Sequence, residues 1–256
     1  MSGHYFEFRD VSISFGDQDV LKRVNFFVEQ GETAVILGRS GVGKSVSLKL
    51  LLGFLKPDEG RIIVAREDVT DFSEEQFADV RRRVTMVFQS GALFDSLTVA
   101  ENVAFPLEGR GMDDDAIDAR VSELLQTLEV TQFADRLPAD LSTGTKRAVA
   151  IARALAENPE AILYDEPTTM VDPLMAAYIG DLISRLKAKL HKTSIVVTHD
   201  THLAKKLADR VIFLQEGRVA FFGTWQGFEN ASDPFLRNFR LQDALIPALD
   251  AAVPTT

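Results

Sequence analysis

Gly38-Arg39-Ser40-Gly41-Val42-Gly43-Lys44-Ser45 is the stretch that decides how the rest of this chain reads. It fits G-x-x-x-x-G-K-[ST], the phosphate-binding P-loop. Glycines let the backbone turn tightly, so that its N–H groups point inward at an anion. The helix that follows adds its positive end. In such a loop the lysine, here Lys44, reaches the terminal phosphates, and the Ser45 hydroxyl is placed to hold Mg²⁺. The flanks agree. Thr33-Ala34-Val35-Ile36-Leu37 reads as a short buried strand. Val46 to Phe54 reads as a helix, with apolar Val46, Leu48, Leu50, Leu51 and Phe54. The motif therefore sits where a strand turns into a helix.

Working outward, Tyr5 to Phe15 and Val20 to Val28 are rich in β-branched and aromatic residues and predict an antiparallel hairpin around Gly16-Asp17. After the turn Lys56-Pro57-Asp58-Glu59-Gly60, a strand is expected over Arg61 to Ala65. Ser73-Glu74-Glu75-Gln76 resembles a capped helix start, and Val84 to Phe88 reads as a further strand. From Leu97 to Leu128 the pattern is helical. Asp113-Asp114-Asp115 puts acid at a helix start, Ile117, Val121, Leu124, Leu125 and Leu128 keep helical spacing, and Gly109-Arg110-Gly111 loosens the chain before it. Alternation then returns: strand Ala161 to Tyr164, helix Leu174 to Leu190, strand Ser194 to Thr198. Val211 to Leu214 and Arg218 to Phe222 read as a hairpin turning at Glu216-Gly217. The whole predicts an α/β fold: a P-loop core with a largely parallel sheet, an N-terminal antiparallel β subdomain and a helical insertion.

The chain has 256 residues, 46% hydrophobic, enough for one large α/β domain. A net charge of −10 argues against a nucleic-acid groove. Without cysteine there is no disulfide framework and no thiol chemistry. No apolar stretch is long enough to cross a bilayer, and Met1 to Asp10 shows no basic-then-apolar signal. Any membrane role is therefore expected through a partner.

Further elements converge on the phosphate. Ala161-Ile162-Leu163-Tyr164-Asp165-Glu166 is an apolar strand ending in two carboxylates. Asp165 suits the Mg²⁺ shell, and Glu166 is placed to orient an attacking water. Leu141-Ser142-Thr143-Gly144-Thr145 opens a helix over Lys146 to Glu157, halted by Asn158-Pro159. Its exposed N–H groups and hydroxyl are a second anion site, suggesting service to another molecule's nucleotide. His199, at a strand end, is placed to touch a γ-phosphate, and Gln89, also at a strand end, to meet Mg²⁺ or water. Asp172-Pro173 is an N-cap with a first-turn proline that can also face a partner subunit. Phe15 is read as a base-stacking aromatic, with core filling as the alternative. From Gln226 onward, Phe228, Phe235, Leu236, Phe239, Leu241, Leu245, Ile246 and Leu249 are broken by Pro234, Pro247 and Pro254. A short docked helix with a frayed end, or a clasp on a neighbouring subunit, both fit this pattern.

Together these residues resemble the nucleotide-binding subunit of ABC transporters, from about Tyr5 to Gly227. The resemblance implies one ATPase domain over 1–227, with a helical subdomain at about 97–140 extending into the signature helix 142–157, and a C-terminal extension over 228–256. It implies Gly38 to Ser45 as Walker A, Asp165 as the Walker B aspartate and Glu166 as the catalytic glutamate. Gln89 becomes the Q-loop, His199 the switch histidine, Asp172 the D-loop and Phe15 the base-stacking aromatic. Where the family reads Leu-Ser-Gly-Gly-Gln, this chain keeps Ser142 and Gly144 but has Thr143 and Thr145.

The expected ligands are ATP and Mg²⁺. The expected partners are a second copy paired head to tail and a membrane permease seated near Gln89 to Leu97, which place the chain at the cytoplasmic face of the inner membrane. Ser96 to Leu107, Gly38 to Lys49 and Ser232 to Arg237 look like the Mla type, which energises phospholipid movement. That narrower likeness implies an Mce-type lipid-binding protein and a small regulatory subunit as further partners. An ABC ATPase for another cargo, or a soluble ATP switch without a permease, are the alternatives.

Overall fold

The computed structural model describes residues 3–108 and 111–241. Two sheets carry the fold. The first is antiparallel, in the order β2 (Gln18–Val28), β1 (Phe6–Phe15), β4 (Glu59–Val64), β5 (Glu67–Asp68). The second has β3 (Thr33–Leu37) inside it, in the order β10 (Arg218–Gly223), β9 (Arg210–Gln215), β3, β8 (Thr193–Thr198), β7 (Ala161–Asp165), β6 (Val84–Val87). Every pairing from β9 to β6 is parallel, and only the β9–β10 hairpin is antiparallel. That hairpin turns at Glu216 and Gly217, with φ of 49° and 78°, the pair of left-handed residues that matches strand twist.

All five residues of β3 are buried, as expected of a parallel strand covered on both faces. Ala34 and Ile36 point with Leu163, Ile195 and Ile212 toward α1 (Lys44–Leu51) and the antiparallel sheet. Val35 and Leu37 point with Tyr164, Val196 and Phe213 toward α5 (Thr143–Leu155), α6 (Pro173–Leu190) and α7 (Thr201–Leu207). This two-residue alternation splits the interior into two cores with the central sheet between them.

Between β4 and β6, α2 (Glu74–Arg83) starts with a reciprocal box: Gln76 N–H donates to Ser73 Oγ, and Ser73 N–H donates to Gln76 Oε1. In the helical region from Leu97, the helix expected from Asp113 is α4 (Asp114–Thr127), capped by Asp113, and a shorter α3 (Val99–Ala104) precedes it. Pro106 cannot continue α3, which is why the pattern breaks there. The first helix also ends earlier than expected, at Leu51. Gly53 follows with φ of 68° against the ring of Phe77, so residues up to Phe54 form a turn. Helix α7 was not foreseen; Asp200 caps it by accepting from His202 and Leu203 N–H groups.

Beyond β10, α8 (Trp225–Asn230) and a helical stretch over 234–241 lie on the second core. Phe228, Leu236 and Phe239 are buried there, with the Phe239 ring 4.9 Å from Phe213. The loosened Gly109-Arg110 pair, and Leu245, Ile246, Leu249, Pro247 and Pro254, lie outside the described residues.

Candidate nucleotide site

Parallel register brings the functional side chains to one edge. Leu37 pairs with Thr198, Val197 with Asp165, and Tyr164 with Val87, so β3, β8, β7 and β6 end side by side. The chain leaves those ends as Gly38, His199, Glu166 and Gln89. Ligands of such sheets gather at the carboxyl ends of the strands.

The P-loop leaves no room for a side chain at Gly38 or Gly43. A Cβ on Gly43 would lie 2.5 Å from Leu21 Cδ2, and one on Gly38 2.5 Å from the Leu214 carbonyl oxygen. Gly43 also has φ of 102° where it caps α1. Lys44 is buried, and its Nζ donates to the carbonyls of Gly38 at 2.9 Å and Arg39 at 3.1 Å. The same Nζ lies 3.2 Å from Glu166 Oε1. Ser45 Oγ donates to Asp165 Oδ1 at 2.7 Å, joining the P-loop to the end of β7.

Glu166 sits in a left-handed conformation, φ 46°, and its N–H donates to the Val197 carbonyl. Its Oε2 accepts from Thr169 Oγ1 at 3.0 Å and lies 2.9 Å from His199 Nδ1. Burial pushes the Glu166 carboxyl up, but the His199 hydrogen bond and the Lys44 charge outweigh it and hold the pKa below the usual value. Asp165 goes the other way. Burial raises it, the Ser45 hydrogen bond opposes, and the neighbouring Glu166 charge adds to the rise. Adjacent carboxylates in one site are thus set apart by their surroundings.

Other foreseen residues sit at the rim. Gln89 lies in an exposed turn after β6, and its side chain has no hydrogen-bond partner among the described residues. Phe15, 48% exposed at the end of β1, is outside the core, and Val20 and Leu21 of the paired strand approach Gly43. Arg39, Ser40 and Gly41 are exposed on the loop, and Val42 packs against the first core. Ser142 caps α5, accepting from Thr145 N–H at 3.2 Å, and its Oγ lies 2.9 Å from Thr145 Oγ1. Gly144 is pressed against Met175 and has no space for a side chain. Asp172 caps α6 through Met175 N–H at 3.0 Å.

Sequence reasoning missed Thr169, which holds Glu166, and Arg147 and Arg153, which hold the turn on either side of Gln89 through the carbonyls of Phe88, Gly91 and Ala92. It also missed Phe235, whose ring lies 5.5 Å under the Arg39 guanidinium. Only the place of Thr169, three residues after Glu166, was a signal available beforehand.

The residues fit Mg²⁺ delivered with phosphate. A hydroxyl and a carboxylate 2.7 Å apart, Ser45 and Asp165, are oxygen ligands of the kind that ion takes. Among the described residues no group of three or more His, Cys, Asp or Glu side chains could hold a metal ion, so substrate oxygens would complete its shell.

The chain matches the ABC transporter family over residues 21–169. It is 38% identical over 246 residues to the methionine import ATP-binding protein MetN of Brucella abortus (strain 2308), covering 96% of this chain and 66% of that one. It is 37% identical over 231 residues to the sulfate/thiosulfate import ATP-binding protein CysA of Thermosynechococcus vestitus, covering 90% and 67% respectively. The chain thus spans about two thirds of the length of these relatives. A dimeric ATP-binding cassette in a post-hydrolysis state, bound to ADP and Pi, has the same fold, with a TM-score of 0.77 at 34% identity over 86% of this chain and 98% of that one. The protein cbiO1 of Clostridium perfringens, part of an ABC transporter complex, gives a TM-score of 0.82 at 29% identity over 98% and 100%. Sequence match, fold and strand-end geometry agree: the chain belongs to the ABC transporter family.

Proposed function

We propose that the chain is the ATP-binding and ATP-hydrolysing subunit of an ABC transporter. The observation that carries this is the joined set Lys44–Glu166–His199 beside the Ser45–Asp165 pair. The P-loop N–H groups and Lys44 bind and orient the β- and γ-phosphates. Ser45 and Asp165 would hold Mg²⁺, with Gln89 reaching in from the rim. Bound with ATP, that ion offsets the negative charge on the phosphate oxygens. Glu166, kept ionised, orients the attacking water, and His199 donates toward the γ-phosphate. Phe15 stacks on the base.

Ser142 and Gly144 cap the nucleotide of a second copy, whose own signature helix caps this one, with Asp172 at the seam. The dimeric cassette among the solved structures supports that pairing. A nucleotide shared in this way biases the closed pair by binding it better than the open one. The work is delivered to a permease at the membrane's cytoplasmic face, a reading the import ATP-binding relatives support; no helix among the described residues is long and apolar enough to cross a membrane.

On cargo, the methionine and sulfate relatives favour a transporter of another substrate over a phospholipid machine. Phospholipid movement is the second reading, supported by the segments Ser96 to Leu107 and Ser232 to Arg237. An Mce-type protein and a small regulatory subunit follow from that reading alone. Purified protein is expected to hydrolyse ATP with Mg²⁺, and tagged protein to retain a permease from detergent-solubilised membranes. No turnover, alone or with that permease, would sink the ATPase reading. Ribosomes recovered in place of a membrane protein would sink the transporter reading.

A further inference from the structure

Arg147, on α5 just past the signature residues, is 4% exposed. Its Nη1 donates to the Phe88 carbonyl at 2.9 Å and its Nη2 to the Thr169 carbonyl at 3.3 Å. Its Nε is buried without a hydrogen-bond partner among the described residues. Burial lowers its pKa, and no carboxylate among the described residues balances the charge. A desolvated cation held only by carbonyls is costly, and an apolar side chain of that volume would fill the space more cheaply. The two carbonyls explain its place. Phe88 immediately precedes Gln89. Thr169 donates its hydroxyl to Glu166 Oε2. Farther along α5, Arg153 Nη2 donates to the carbonyls of Gly91 at 3.1 Å and Ala92 at 2.8 Å. The turn over 88–92 is thus pinned to the signature helix at both ends, and Arg147 also reaches the loop that carries Glu166.

We propose that Arg147 is a positioning residue that ties the Gln89 turn to the Glu166 carboxylate, one guanidinium spanning the carbonyls of Phe88 and Thr169. The proposal rests on the reading of Glu166 as the group that orients water. Guanidinium suits the task because its planar fork fixes two directions at once, whereas an ammonium is a point charge on a flexible stem. A shift of Phe88 then reaches Thr169, and through its hydroxyl Glu166, without passing through the nucleotide.

The test uses the full chain with Arg147→Lys and Arg147→Met. His199 shares Glu166 Oε2 with Thr169, so its imidazole NMR resonances report the carboxylate without ATP or turnover. Both variants are expected to move those resonances. ATP affinity stays within about twofold while kcat falls, since the tie acts on the reacting geometry and not on uniform binding. The fall is about tenfold to a hundredfold, as for a small misplacement of a catalytic group. Lysine is expected not to rescue. Unchanged resonances with unchanged kcat overturn the proposal even if the melting temperature drops, and so does full rescue by lysine. If Arg147→Met does not fold, Arg147→Lys, which keeps the buried cation, decides. A wild-type chain that binds ATP without turning it over sinks the ATPase reading, and the His199 resonances still decide the tie.

Discussion

Lys44 Nζ lies 3.2 Å from Glu166 Oε1, so the P-loop cation and the carboxylate at the end of β7 form an ion pair. The same ammonium donates to the carbonyls of Gly38 and Arg39. It has three N–H donors, and these partners occupy all of them. A phosphate oxygen that binds Lys44 must take over one of these places. Glu166 is the partner whose own work requires it to turn toward water, and His199 and Thr169 hold its other oxygen.

Glu166→Gln replaces that ionic partner with a neutral amide. Phosphate then competes against a weaker hold on Lys44, so ATP affinity is expected to equal or exceed wild type. Turnover is expected to fall by about 10²–10³, as for loss of a key transition-state contact. Fluorescent-nucleotide titration beside single-turnover hydrolysis separates the two effects. Weakened binding with near-normal turnover would contradict both assignments.

Asp165 gives a pH-dependent expectation of the opposite sign to Glu166. Burial, with the Glu166 charge adding, raises its folded pKa above the ordinary value. The cost of ionising it is absent below the ordinary value and fully present above the raised one. Asp165→Asn should therefore raise the melting temperature at pH 7, with the gain shrinking to nothing near pH 4, while abolishing turnover. Glu166, with a lowered pKa, contributes stability at pH 7 that is lost as pH falls through its depressed value. Thermal melts of the Asp165 variant across that range check the sign. A gain that grew toward acid would refute it.

The parallel strand ends were legible because spacing alone exposes them: an apolar run, then a glycine loop, a carboxylate pair or a histidine. Ser45 and Asp165 could be matched in role without knowing that they touch. What the sequence did not show is what holds these groups in place. Thr169 looks like an ordinary loop residue, and Arg147 like one more charge on a helix start. Arg147's role comes from two carbonyl positions and Thr169's from where its hydroxyl meets Glu166, and both are set by tertiary packing. The helix opened by Asp113 was legible because its cap and its apolar spacing are both written in side chains; the shorter α3 before it ends near Pro106, where backbone chemistry stops it. The C-terminal residues carried an apolar pattern whose target, the Phe213 face of the central sheet, only the fold could supply.

That packing leads to the nucleotide loop itself. The Phe235 ring lies 5.5 Å from the Arg39 guanidinium, so the stretch over 234–241 steadies an exposed residue of the P-loop. Exposed cation–π pairs contribute about 0.5–1 kcal/mol, so Phe235→Ala is expected to weaken ATP binding about twofold to fivefold. Phe235→Tyr, which keeps a ring face, should restore it. Titration calorimetry with the three proteins decides, and equal affinity in the alanine variant would remove Phe235 from any role at the loop.

Met170 and Leu174 flank Asp172 and are 85% and 80% exposed. Large apolar side chains held out in water on both sides of a helix cap are suited to burial against another surface. Met175, one residue on, presses against Gly144, so the face that carries Asp172 is continuous with the signature residues. If that face closes on a second copy around shared nucleotide, Met170→Glu with Leu174→Glu would place charge in the seam, where an unpaired carboxylate is costly to desolvate. In a Glu166→Gln background, ATP is expected to drive the parent chain to a dimer in sedimentation and to leave the doubly substituted chain monomeric. Nucleotide affinity of the monomer should change little, because neither side chain touches the P-loop. A dimer that formed equally well with both glutamates would place the seam elsewhere on the molecule.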